Sequence, residues 1–249
     1  MSVSALPDIP ETRPGDDLAA LALDALARAG LDVAAGDVFV FTQKVVSKAE
    51  GRLVALDGVE PSPEARSWAD AWGRDARVIE LVLREASRVV RMERGVLITE
   101  TRTGLVCANS GVDTSNVPPG CAALLPLDPD ASARGLCATL RARLGIAVGV
   151  VVSDTFGRPW REGQTDVAIG AAGLRPILDH RGTTDRHGHT LRATRTAIAD
   201  ELAAAADLVL GKTGGTPVAL VQGIPFGTAD LDGPGARALV RAAEEDLFR

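Results

Sequence analysis

The sequence predicts an α+β protein with mixed or antiparallel sheets and helices packed on them. Three observations carry that reading. Stretches with Leu and Ala at helical spacing are interspersed with short β-branched runs along all 249 residues, so both element types are present. The two types do not alternate strictly, which argues against a clean doubly wound parallel sheet. Residues 95–127 hold three short strand patterns in succession with no helical pattern between them.

In chain order, "DDLAALALDALARAG" (16–30) opens on aspartate caps and repeats its apolar residues at helical spacing, so it predicts a helix. "GDVFVFT" (36–42) is a short apolar strand ending in a polar residue. "LDGVEPSPEARSWADAW" (56–72) is the most loop-like stretch, and "ARVIELVLREASRVVRMERG" (76–95) predicts one helix with an apolar face and a glycine stop. "GVLITET", "GLVCANSG" and "CAALLPL" are the three strands. "DPDASARGLCATLRARLG" (128–145) starts acidic and ends on glycine, which predicts a helix feeding the strand "IAVGVVV" (146–152). A further helix is expected in "TRTAIADELAAAADLVLG" (194–211), a strand in "PVALVQG" (217–223) and a helical tail in "GARALVRAAEEDLFR" (235–249).

Composition narrows the function. Hydrophobic residues make up 46% of the chain but aromatics only 3%, so Ala, Val and Leu must fill the core. A net charge of −6 argues against a nucleic-acid binder, which needs a basic stripe. No apolar run approaches the ~18 residues of a membrane span, and the N-terminus lacks a signal-peptide pattern. Cys107, Cys121 and Cys137 are an odd number without CxxC spacing, as expected of small buried hydrophobes in a reducing cytoplasm.

Strand ends that run into Gly-rich turns are where reactive side chains emerge, and three such places carry chemistry. In "FTQKVVSKAEG" (41–51), Gln43, Lys44, Ser47 and Lys48 offer donors to a polyphosphate; alone, the segment reads more readily as a solvated basic face after a strand. In "ANSGVDTSNVPPG" (108–120), Asp113 is a hard-oxygen ligand for Mg²⁺ or Mn²⁺ and Asn116 a donor to a base or phosphate; alone, both suit Asx-turns. The apolar run ending at Val152 delivers Asp154 and Thr155 into the polar loop "SDTFGRPWREGQTD" (153–166), where a carboxylate and a hydroxyl can hold a metal and Arg158 and Arg161 can face phosphate or carboxylate; alone, this is a strand cap with surface arginines. Gly211-Lys212-Thr213 imitates the end of a P-loop. Ala206 stands where that motif needs glycine, and a helix precedes it rather than a strand, so no P-loop is expected.

In this order, "GDVFVFTQKVVSKAEGR", "GVDTSNV", "SDTFGRPWREGQTDVAIGAAG", "ADELAAAADLVLGK" and "PVALVQG" resemble the coenzyme F420-0:L-glutamate ligase (gamma-glutamyl ligase) family, and the likeness runs from about Ile9 to the end. The resemblance is closest to the actinobacterial branch, in which a C-terminal flavin-binding reductase domain often follows. It implies one ligase domain over residues 1–249, without that second domain, either stand-alone or cut from a longer protein. It implies the family's own α+β fold and an intertwined homodimer. The implied activity is GTP-dependent addition of L-glutamate to coenzyme F420-0 through an acyl phosphate, with two Mg²⁺ or Mn²⁺ ions and a monovalent cation as cofactors. The implied nucleotide contacts are Ile9, Pro10, Glu11, Thr12, Gln43, Lys48 and Asn116; the implied metal ligands are Asp113, Asp154 and Thr155; Lys48 and Asp154 are the implied catalytic groups. One departure stands out. Archaeal relatives can place an acidic or amide ligand in the Gly-rich loop where this chain has Lys212, so either one metal has fewer protein ligands here or Lys212 binds phosphate. A ligase for another carboxylated metabolite, or a non-catalytic nucleotide-binding module, stays open at this point.

Overall fold

Two branched apolar runs, Val38–Thr42 and Gly149–Val152, become neighbouring strands with both faces covered. The computed structural model describes residues 1–224 and 229–246. Its elements are β1 (Ser2–Ala5), α1 (Leu18–Ala29), β2 (Val38–Thr42), α2 (Gln43–Ala49), β3 (Leu53–Ala55), α3 (Pro63–Trp72), α4 (Ala76–Glu85), β4 (Ala86–Glu93), β5 (Val96–Thr101), β6 (Val106–Ala108), β7 (Cys121–Ala123), α5 (Pro129–Leu144), β8 (Gly149–Arg158), β9 (Arg161–Ala172), β10 (Leu178–Asp179), β11 (Arg195–Thr196), α6 (Ile198–Leu210) and β12 (Val218–Gln222). The main sheet is ordered β1-β12-β2-β8-β9; β2 and β8 run parallel and every other pairing in it is antiparallel. Smaller antiparallel sheets are β4-β5-β6, β3-β7 and β10-β11. The α+β class with mixed and antiparallel sheets is as expected.

Alternation along β2 explains the layering. Phe39 and Phe41 face one side and pack with Leu18, Ala22 and Leu26 of α1 and Leu140 of α5. Val38 and Val40 face the other side and pack with Ile198, Leu202 and Ala206 of α6. A separate core under α3 and α4 gathers Trp68, Ile79, Val82 and Leu97. The start of α5 lies so close to β9 that a Cβ on Gly170 would stand 2.2 Å from the Pro129 carbonyl oxygen, so only glycine fits there.

Several sequence expectations are corrected. The 76–95 segment is not one helix. It leaves α4 at Glu85 and continues as β4, pairing with β5 across a turn in which Arg94 and Gly95 both have positive φ, as a two-residue hairpin turn requires. The loop-like 56–72 stretch contains α3, started by a Ser62 side-chain cap and Pro63 in its first turn and ended by Gly73 in the left-handed conformation. The polar 153–166 segment is a β-hairpin rather than a loop: β8 runs on to Arg158, and the chain turns at Pro159 and Trp160. Gln43–Ala49 is a helix rather than a turn, and β1 was not anticipated. The tail forms only short 3₁₀ turns at Ala236–Leu239 and Ala243–Glu245; residues 247–249 of the expected helix lie outside the described residues. Cys107 and Cys137 are buried as expected, whereas Cys121 is partly exposed; all three are free thiols. No described helix is long and apolar enough to cross a membrane.

Candidate active site

The carboxyl end of β2 and the middle of β8, where their parallel pairing stops, open into one cleft of about 520 Å³. It is lined by the segment 9–12, by Gln43, Lys44 and Lys48 of α2, by Asn116, by Asp154 and Thr155 of β8, and by Asp166, Asp207 and Lys212. All seven implied nucleotide contacts are therefore on this cavity wall, with Lys44 beside them, whereas Ser47, Arg158 and Arg161 are not. Of the three offered for metal, Asp154 and Thr155 line it, and Asp113 stands behind Lys44.

Four residues apart on one helix, Lys44 and Lys48 reach the same cleft. Lys48 is buried to 8% exposure, and its ammonium lies 2.5 Å from Glu11. Lys44 donates to Asp113 at 2.6 Å and to Ser115 at 2.9 Å. Gln43 is also buried, and its amide nitrogen is committed to the Ser47 hydroxyl (2.6 Å) and the Leu124 carbonyl (3.1 Å). It fixes α2 against the chain beyond β7. Asn116, with positive φ, donates to the Lys212 carbonyl at 3.4 Å, linking the two loops that flank the cleft.

Strand β8 divides its side chains between the two faces of the sheet. Asp154 shares a face with Val150 and Val152. Burial pushes its carboxyl pKa up to about 7; the backbone N–H of Thr155 opposes the rise, the Asp166 charge adds to it, Lys44 opposes it and Asp113 adds to it. No side chain among the described residues hydrogen-bonds this carboxyl, which fits a group made to receive a cation. Asp113 is different. Burial would raise its pKa, but the Lys44 ammonium and the Ser115 backbone outweigh that and hold it below the ordinary carboxylate value.

Ser153 and Thr155 project to the α6 side. Both donate to the buried Asp166 across the hairpin, at 2.9 and 2.7 Å. Lys212 completes this group: its ammonium meets Thr155 Oγ1 at 2.8 Å, Asp166 Oδ1 at 3.0 Å and Asp207 Oδ1 at 2.5 Å. Burial works against the Lys212 charge, but Asp207 and Asp166 outweigh it and raise its pKa. Sequence reasoning missed Asp166 and Asp207. For Asp166 the signal was present, because a strand pairing of "SDT" with "QTD" puts Thr155 opposite Asp166; reading the segment as a loop hid it. Asp207 on α6 carried no signal. Among the described residues, no three His, Cys, Asp or Glu side chains form a metal-holding group; the acidic residues here are separated by the ammoniums of Lys44 and Lys212.

Residues 8–223 match the F420-0:Gamma-glutamyl ligase family. The chain is 44% identical over 250 residues to a protein of Methanothermobacter thermautotrophicus, covering 100% of this chain and 99% of that one. It is 47% identical over 241 residues to one of Methanopyrus kandleri (96% and 94% covered). It is 42% identical over 217 residues to one of Methanocaldococcus jannaschii (86% and 85% covered). All three relatives are named coenzyme F420:L-glutamate ligase.

Proposed function

Because the chain belongs to the F420-0:Gamma-glutamyl ligase family, and so is a ligase, we propose that it joins L-glutamate to coenzyme F420-0 in a reaction driven by GTP. The observation that supports this best is the cleft itself. Two lysine ammoniums and a desolvated carboxyl line one cleft where the parallel pairing of β2 and β8 stops, a set suited to a polyphosphate and a cation. Glu11, Thr12, Gln43 and Asn116, with Ile9 and Pro10, form the wall on which the guanine nucleotide would rest.

In this reading a carboxylate oxygen of the acceptor attacks the γ-phosphorus of GTP and the bond to the β-phosphate oxygen breaks, leaving GDP and an acyl phosphate. The uncharged amine of glutamate then attacks the acyl carbon, the C–O bond to phosphate breaks, and an amide, inorganic phosphate and a proton result. Lys48, and Lys44 once released from Asp113, act as point charges on the transferring phosphates. Asp154 and Asp113 are the carboxylates that would hold a divalent metal such as Mg²⁺ or Mn²⁺, which supplies neutralisation of phosphate charge when bound. Thr155 belongs to the Lys212 group instead.

Nucleotide release tests the reading. Sustained release of GDP and phosphate, beyond a single turnover, should require both F420-0 and glutamate. GTP should be strongly preferred, because a site that pairs the N1 and N2 edge of guanine leaves polar groups unpaired against adenine. Equal rates with ATP, or hydrolysis indifferent to the acceptor, would sink it.

A further inference from the structure

The Lys212 ammonium has its donors fully employed. A lysine carries three N–H groups and no acceptor, and here three protein oxygens take them: Thr155 Oγ1 at 2.8 Å, Asp166 Oδ1 at 3.0 Å and Asp207 Oδ1 at 2.5 Å. No donor is left over for a phosphate. The acceptors are equally well supplied. Asp166 is 3% exposed and receives Ser153 on Oδ2 and Thr155 on Oδ1, in addition to the lysine. Thr155 gives its only proton to Asp166, so the oxygen faces Lys212 as an acceptor. Two carboxylates and a hydroxyl oxygen converging on one point form a hard-oxygen donor set of the kind a divalent cation takes. The point is held by a cation that is part of the chain.

We infer that Lys212 is the resident cation of this pocket and stands where a metal ion would otherwise bind, so that the chain loads metal on the Asp154 side of β8 and not on the Thr155 side. Strand alternation puts the two side chains on opposite faces: Asp154 feels Lys44 and Asp113 as well as the charge of Asp166, whereas only Thr155 hydrogen-bonds Asp166 and Lys212, the lysine pairing in turn with Asp207. Electrostatics gives the pocket its appetite for a cation. A buried Asp166 without a counter-charge is strongly unfavourable, so removal of the ammonium must be answered by another cation or by a proton. Entry is open, because the Lys212 side chain is 56% exposed to the cleft. The inference rests on the metal-dependent reading above only for the Asp154 side.

Counting bound Mn²⁺ decides it without turnover. Electron paramagnetic resonance of free Mn²⁺ is titrated with the 249-residue chain, with Lys212→Ala, with Asp207→Asn and with the double variant. The count for the wild type should be unchanged by Asp207→Asn. Lys212→Ala should bind one further Mn²⁺, and the double variant should lose it again. The inference is overturned if Lys212→Ala gains no Mn²⁺, or if Asp207→Asn alone lowers the count. Circular dichroism checks folding, and Lys212→Met, which keeps the packing of the stem, takes the place of Lys212→Ala if that variant does not fold. Asp154→Asn separates this from the broader reading: if it leaves the wild-type count unchanged, the Asp154 metal site fails while the result at Lys212 still stands.

Discussion

Lys44 and Lys48 are one turn apart on the same helix and end in different company. Lys48 is buried and paired with Glu11, beside the 9–12 segment, while Lys44 is tied to Asp113 and Ser115. A buried ammonium on a transferring phosphate is worth roughly 3 kcal/mol of transition-state stabilisation, on the scale of one oxyanion-type donor. Lys48→Ala should therefore lower turnover by two orders of magnitude or more with the fold intact, and Lys44→Ala should lose less. Steady-state glutamate ligation by the two variants, with circular dichroism as the folding control, checks this. A folded Lys48→Ala near wild-type rate would move the nucleotide elsewhere. The sequence already pointed to most cleft residues, because Gly, Pro and polar residues mark the ends of its apolar runs. What it concealed was pairing. Asp166 reaches the cleft through a hairpin register that reading 153–166 as a loop hid, and Asp207 comes from near a helix end and leaves no trace in local spacing.

At the scale of elements, the two helices of the third core are joined by one carboxylate. Glu80 of α4 accepts from the backbone N–H of Ser62 at 2.8 Å, at the N-cap of α3, and from Arg84 at 2.7 Å. The Ser62 backbone first, then its hydroxyl and Arg84, lower its pKa from 4.5 to about 2. A carboxylate with a depressed folded pKa contributes stability above its unfolded pKa and loses it as pH falls through the folded one. The advantage of the wild type over Glu80→Gln should therefore be full above about pH 4.5 and vanish toward about pH 2. Urea midpoints across that range measure it, and a pH-independent gap between the two proteins would contradict the assignment. Elements with strong periodicity, such as α1, α5, α6, β2 and β12, were legible in the sequence. The errors fell where two signals competed. In 76–95 the apolar residues of α4 run without a breaker into the branched residues of β4, and the turn uses Arg94-Gly95 in place of the commoner Asn-Gly. In 56–72 two prolines suggested a loop, although Ser62-Pro63 is a helix start.

The whole molecule leaves one sheet with apolar residues in the open. Val89 and Val90 of β4, Val96 of β5 and Val106 of β6 are each more than a third exposed. Val96 and Val106 share one face of that sheet with Ile98 between them; such a face suits a second copy of the chain, and we expect a homodimer that covers it. Light scattering after size exclusion should give twice the mass of one 25.8 kDa chain, and Val96→Asp should shift the protein toward monomer; a wild type that is monomeric at micromolar concentration would refute the dimer. The central claim is chemical, and the product tests it most directly. Purified protein is incubated with F420-0, L-glutamate, GTP and Mn²⁺, and the deazaflavin is read by mass spectrometry. The account predicts a mass increase of one glutamate less one water, or whole multiples of it, that appears with GTP and is absent from Asp154→Asn. An unchanged deazaflavin mass under these conditions, with GTP intact, would contradict it.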